Sequence, residues 1–296
     1  MFPVPVTFCA PLADLPPAHR CSVMREFASN GAEYLVFGCE LMEQCMRDYR
    51  LPAQLCREME AAGLSFLDAH APFGPALDLF CPFPDFRSRM ILRQKLAIAM
   101  AAEVSAKTIT IHVGNSNYDP EPLKTPHEEH IKRVKDALAQ LLPVAEEYGI
   151  TVCIENIWHA TNTPEVLLDI KKDFPGDSLG FCYDAGHAHL MDDGRNHEGS
   201  SAFPAWAAVG IETPHWDDRI LEKMLPHVVN CHLHDNDGTC DQHRNIGQGT
   251  IDWKHIIPVL KTAPRLQVVQ SEVNPVEPHS SFRDIVEAFG KLGEIE

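Results

Sequence analysis

The sequence predicts a closed (β/α)8 barrel, and three observations lead there. Short runs rich in Val, Ile, Leu and Phe alternate with longer amphipathic segments, as strands buried on both faces and their covering helices should. Eight such units can be counted, and eight parallel strands close on themselves. Six of the runs end on a side chain that can bind a metal: LSFLDAH at His70, KTITIH at His112, TVCIE at Glu155, LGFCYD at Asp184, VVNCH at His232 and LQVVQSE at Glu272. The C-terminal strand ends of such a barrel converge on one face, where chemistry is built. Termini drawn only from His, Asp and Glu therefore read as one shared site.

Taken in order, residues 4–9 (VPVTFC) and 33–38 (carrying Tyr34 to Phe37) supply the first two strands, and the six runs above supply the rest. Helices are expected at 18–30, 41–62, 86–104, 126–148, 164–173, 215–226, 252–261 and 281–292. Thr125-Pro126 opens one of them, with Glu128 and Glu129 in its first turn, and Thr163-Pro164-Glu165 opens another. Gly149 is a helix C-cap before the fifth strand. Residues 1–296 read as one domain, with no linker or low-complexity tract. Two connections, 71–86 and 191–216, are longer than a barrel needs and follow strands at the proposed active face. Loops of that kind are lids or substrate walls.

Composition narrows the function classes. The chain has 296 residues, 45% hydrophobic, and a net charge of −17 from 25 Lys+Arg against 42 Asp+Glu. Such a surface disfavours phosphate backbones and anionic membranes and attracts divalent cations. No apolar stretch approaches the roughly 18 residues of a membrane span, and the proline-broken start MFPVPVTFCAPLADLPP does not read as a signal peptide. Ten cysteines at irregular spacings, with no CxxC pair, read as reduced thiols of a cytoplasmic protein.

Glu155, Asp184, His232 and Glu272 end strands five to eight, so they neighbour one another on one arc of the barrel. Three carboxylates and an imidazole make a mixed oxygen–nitrogen site for one divalent ion, Mn²⁺, Co²⁺, Mg²⁺ or Zn²⁺. Around it, His187 follows Asp184 by three residues and shares its direction if a helical turn begins there. Asp241 and His243, two apart, point the same way from an extended segment. His70 and His112 complete the set that binds substrate or further metal. His234 shares a face with His232 and competes with it or supports it, and Asp235 is a candidate orienter of a metal-bound imidazole.

The runs IENIWHATNTPE, GFCYDAGHAHL, CHLHDNDGTCDQHRNIGQGTIDW and QSEV resemble the xylose isomerase-like TIM-barrel superfamily. That superfamily holds sugar phosphate isomerases and epimerases, tagatose/psicose 3-epimerase-like and inosose-processing enzymes, and endonuclease IV. The resemblance implies that Glu155, Asp184, His232 and Glu272 form the shared metal site, that Glu155 and Glu272 also transfer protons, and that His187 contacts substrate. The endonuclease IV pattern matches as well: His70, His112, Glu155, Asp184, His187, His232, Asp241, His243 and Glu272 occupy its ligand set for up to three Zn²⁺. Against it stand the sugar-enzyme form of YDAGHAHL, the tract RNIGQGTIDW, and the lack of a basic stripe or intercalating loop for a bent duplex.

The expectation is a metal-dependent isomerase or epimerase of a sugar or polyol that removes the proton α to a carbonyl and passes through an enediolate, with His187 and His243 on substrate hydroxyls. An abasic-site phosphodiesterase and a keto-sugar dehydratase are the alternatives. No glycine-rich phosphate loop is present, because GQG at 247–249 reads as a turn before a helix; Arg244 and Lys254 are the cations nearest in sequence to serve a phosphate. A homo-oligomer is compatible with all of these readings.

Overall fold

A computed structural model of the chain describes residues 1–276 and 280–296. Eight strands, β1 (Val6–Phe8), β2 (Tyr34–Phe37), β3 (Ser65–His70), β4 (Thr108–Thr110), β5 (Thr151–Glu155), β6 (Leu179–Asp184), β7 (Val228–Leu233) and β8 (Val268–Ser271), pair in sequence order. All pairs are parallel, and β8 returns to β1 through Val6↔Val269 and Phe8↔Ser271, closing the barrel. The expected (β/α)8 architecture is therefore present.

Among the described residues, eleven α-helices surround the strands: α1 (Pro17–Ser29), α2 (Cys39–Arg47), α3 (Leu51–Ala61), α4 (Pro84–Glu103), α5 (His127–Tyr148), α6 (Pro164–Asp173), α7 (Ala185–Met191), α8 (Ala202–Ala207), α9 (Ile220–Met224), α10 (Trp253–Leu260) and α11 (Phe282–Gly293). Thr163 caps α6 as its sequence suggests, its hydroxyl accepting from Val166 N, and Gly149 closes α5 at φ 66°, in the left-handed region. One large apolar cluster, including Phe27, Phe37, Leu138, Phe181 and Phe289, packs the helices on the barrel. All ten cysteines are free thiols, and no helix among the described residues is long and apolar enough to cross a membrane.

Three expectations are corrected. The single helix at 41–62 is two, α2 and α3, because Asp48 leaves helical geometry at φ −134° and its carboxylate accepts from Arg50 N instead. The helix at 215–226 shrinks to α9 and a 3-10 turn at Leu225–His227. Its first residues are drawn out of the helix, with Asp217 N donating to Met191 O and residues 218–219 in a turn. The connection 191–216, expected to be irregular, contains α8.

Candidate active site

The polar strand ends meet as the alternation of side chains in a barrel requires. Glu155 and Asp184 close β5 and β6, His232 lies near the end of β7, and Glu272 follows β8 by one residue. One ligand atom from each of the four lies within 4.8 Å of the others. His232 Nδ1 is their hub, 2.9 Å from Glu155 Oε1, 3.3 Å from Glu272 Oε1 and 3.9 Å from Asp184 Oδ2.

Three further groups satisfy the same closeness: His70 with Glu155 and His232, Asp184 with His187 and His234, and His234 with Asp241 and His243. His112 Nε2 lies 3.1 Å from Glu155 Oε2. The helical turn expected after Asp184 is α7; Asp184 accepts from His187 N at 2.6 Å, which turns both side chains inward. His70, His112, Glu155, His187, Asp241, His243 and Glu272 all line one cavity of ≈ 260 Å³.

His234 is fully buried and stacks on His243 at 4.1 Å and 18°. Its ring lies against Gly186, where any Cβ would overlap the imidazole, so α7 can begin only with glycine at that position. His243 itself has φ 48°, a strained value held by its ring, which bridges Glu272 O at 2.8 Å and Asp241 Oδ2 at 2.9 Å. Asp235 lies elsewhere than expected. Alternation along the chain turns it away from His234, and its carboxylate accepts from Gly247 N, Ile251 N and Trp253 Nε1, fastening the 244–253 loop. His189 also points away, to Asp192 and Thr250.

The residues fit a divalent cation on an observation independent of any resemblance. Glu155 Oε2, Asp184 Oδ2, Asp241 Oδ1 and both ring nitrogens of His234 are buried without a hydrogen-bond partner. Groups of that kind cost free energy unless something satisfies them; Glu155 and Asp184 belong to the four-residue group and Asp241 and His234 to the flanking one, and both are mixed oxygen–nitrogen donor sets that a hard or borderline cation satisfies.

The same crowding sets the proton balance. Burial pushes Glu155 and Glu272 upward, but the charge of His232 beside them outweighs it and holds both well below the usual carboxylate range. Burial would likewise neutralise His187, yet Asp184 and Asp241 raise it well above an ordinary histidine. His232 is raised by the Cys182 sulfur, Glu272 and Glu155 against its burial. His243, buried but bonded to Asp241, rises to about 9, whereas burial and its neighbours His112 and His232 lower His70 to about 4. Raised imidazoles keep their protons at neutral pH, and a cation at these ligands must displace them. Metal affinity is therefore expected to rise with pH above neutrality, as His232 loses the proton its carboxylate neighbours hold on it. Calorimetry at pH 7 in buffers of different ionisation enthalpy should read net proton release, and zero release would contradict this balance.

Sequence reasoning missed the support beneath His232. Asn230 donates through Nδ2 to Thr110 Oγ1 at 3.0 Å and to Asp68 Oδ2 at 3.2 Å, bonds that cross the barrel lumen from β7 to β4 and β3. Thr108 donates to Asp68 Oδ1 at 2.5 Å. Thr110 Oγ1 in turn faces His232 Nε2 at 3.3 Å. Once a cation takes the Nδ1 lone pair, the remaining ring proton lies on Nε2, and Thr110 Oγ1 is placed to accept it. Asp68→Asn is expected to weaken divalent-ion binding about 10- to 100-fold with an unchanged circular dichroism spectrum; unchanged affinity would show that the network only packs the barrel. The signal was in the sequence, since Asp68, Thr110 and Asn230 each precede a polar strand terminus by two residues and share its face.

Both long connections line cavities, as expected of them. Phe73 and Asp78 from the first stand in the ligand cavity with Asn115, Tyr118, Trp158 and His159. Trp206 and Trp216 from the second line a neighbouring one.

Residues 26–292 match the family model described as the xylose isomerase-like TIM barrel. An uncharacterized protein of Methanocaldococcus jannaschii is 27% identical over 226 residues, covering 74% of this chain and 68% of that protein. A solved D-tagatose 3-epimerase-like protein superposes with a TM-score of 0.72 at 21% identity, over 98% of this chain and 97% of that one. The IOLI protein with a bound zinc atom superposes with a TM-score of 0.68 at 18% identity, over 97% and 96%. At these identities the two solved structures speak for the fold.

Proposed function

The chain belongs to the xylose isomerase-like TIM-barrel family, and from that premise we propose that it is a divalent-metal-dependent isomerase or epimerase of a sugar or polyol. One observation carries the reading. Glu155 and Glu272 both reach the ≈ 260 Å³ cavity while their other sides meet the His232 hub. The ion held by Glu155, Asp184, His232 and Glu272 is Mn²⁺, Co²⁺, Mg²⁺ or Zn²⁺, and when bound it supplies Lewis-acid polarisation of a substrate carbonyl.

The chain's own groups then move the proton. One of the two carboxylates takes the proton α to the carbonyl, and the other, carrying a proton drawn from solvent, delivers that proton to the opposite face, which inverts the carbon and leaves each carboxylate to re-equilibrate with water. Return to the adjacent carbon of the same enediolate gives the aldose–ketose isomer. His187 and His243 hold substrate hydroxyls, and Phe73, Tyr118 and Trp158 in the cavity wall keep water from the enediolate. Loss of a β-hydroxyl from a ketone would use the same carboxylates, so a dehydratase is the nearest variant. The neighbouring His70 and His234–Asp241–His243 groups favour a second reading, an endonuclease IV-like phosphodiesterase with up to three Zn²⁺.

The test is solvent exchange. Metal-loaded protein in deuterated water, given a panel of ketopentoses, ketohexoses and inososes, is expected to place deuterium on the carbon α to the carbonyl, read by NMR. A metal-loaded protein that exchanges none of the panel would remove the support for this chemistry.

A further inference from the structure

A second cavity, ≈ 360 Å³, adjoins the first and has no part in the chemistry above. The two share a wall of Ile157, His159 and His187. The second lies near the low end of the roughly 300–1,000 Å³ typical of small-molecule sites and the first just below it, so each suits a single sugar-sized unit.

The walls of the second cavity describe its ligand. Trp206 is buried and fixed by its indole N–H, which donates to Trp158 O at 2.9 Å, while His215 packs on its ring at 5.0 Å. Trp216 has one face covered by His197, stacked at 3.5 Å and 4°, is met edge-on by Phe203 at 5.5 Å, and lines the chamber with what is left. Aromatic surfaces held in this way suit the C–H faces of a sugar ring. Asn162 contributes a donor that nothing in the protein satisfies: it is 0% exposed, its Oδ1 accepts from Thr161 Oγ1 at 2.9 Å, and its Nδ2 has no partner. A buried donor of that kind in a cavity wall calls for an acceptor from a ligand. An anion finds no free positive partner here: His187 in the shared wall already faces Asp184 at 3.5 Å and Asp241 at 3.4 Å. Lys223 is the one ammonium or guanidinium among the lining residues, and it is bound at 2.7 Å to both Glu165 and Asp217. The trio carries a net negative charge, and its carboxylate lone pairs remain to accept from hydroxyls.

We propose that this chamber is a second carbohydrate subsite, holding the uncharged, non-reacting ring of a glycoside or disaccharide whose reacting unit faces Glu155 and Glu272. The location of the reacting unit rests on the isomerase reading; the chamber's preference for a neutral sugar ring does not.

Isothermal titration of the metal-loaded full chain with glucose, galactose, fructose, sucrose, maltose, cellobiose, lactose and trehalose tests it. At least one disaccharide is expected to bind about tenfold more tightly than either of its component sugars. In Trp216→Ala that ratio should fall towards one. His215→Ala should lower it as well, and since His215 is exposed, its truncation does not threaten the fold. A panel with no such gain, or a gain that survives both substitutions, overturns the proposal. Failure of the isomerase reading looks different: a disaccharide gain without deuterium exchange on any sugar would leave the subsite standing and remove the reaction, whereas exchange on free sugars without a gain would do the reverse.

Discussion

Glu272→Gln, carrying its divalent ion, is expected to exchange the substrate α-proton about 10²–10⁴-fold more slowly than the native chain, the range a positioned general base contributes. The amide keeps an oxygen near His232 Nδ1 but cannot take a proton. Glu155→Gln should lose as much activity and more metal, because Glu155 is the more deeply buried of the two and meets His112, His187 and His232 together. Metal content measured beside exchange separates the two effects. A Glu272→Gln protein that is fully loaded and exchanges at the native rate would show that this carboxylate binds without moving a proton.

The separation between these two residues was legible in the sequence only in part. Period-two alternation and strand length placed Glu155, Asp184 and His232 at the barrel face, because each sits within or at the end of a buried run whose register admits one choice. His112 and Glu272 were found for the same reason although β4 and β8 stop short of them, at Thr110 and Ser271; an extended backbone keeps its alternation past the last ladder bond. The break between α2 and α3 was not legible, because the apolar pattern of 41–62 is continuous and the interruption comes from a local Asp48–Arg50 turn. Asp235 does not orient His234, because a carboxylate next to a histidine in sequence points to the opposite side of an extended segment. What holds His232 instead comes from Asp68 and Thr110, 164 and 122 positions away in the chain, and only barrel closure brings them together. The second chamber was out of reach for a like reason. Its walls come from the β5–α6 loop, the start of α6, α7, α8, the α8–α9 connection and α9, and its charge depends on Lys223 meeting Glu165 and Asp217 at the rim.

The number of metal ions decides between sugar and nucleic acid, and one ion per chain is the expected result when metal is supplied in excess and loosely held ion is then removed by gel filtration. Glu155, Asp184, His232 and Glu272 present three carboxylates to a single point, whereas His234, Asp241 and His243 present one. Attraction to a divalent charge therefore fills the four-residue group first. Two of the other groups draw on its members, His70 through Glu155 and His232, and His187 through Asp184, so further ions would have to share ligands already engaged. A duplex would also need cations for its phosphates. The chain carries 25 Lys+Arg against 42 Asp+Glu; Arg244 beside the cavity is paired with Asp237 at 3.2 Å, and Lys223 is held by two carboxylates. A duplex with one abasic site, incubated with zinc at low salt, should accordingly stay intact. His243→Ala should keep the first ion, since His243 lies outside the four-residue group, while losing affinity for a sugar hydroxyl. Three zinc ions per chain together with efficient incision that disappears in His243→Ala would instead make the flanking histidines catalytic metal ligands and replace the sugar reading with the phosphodiesterase.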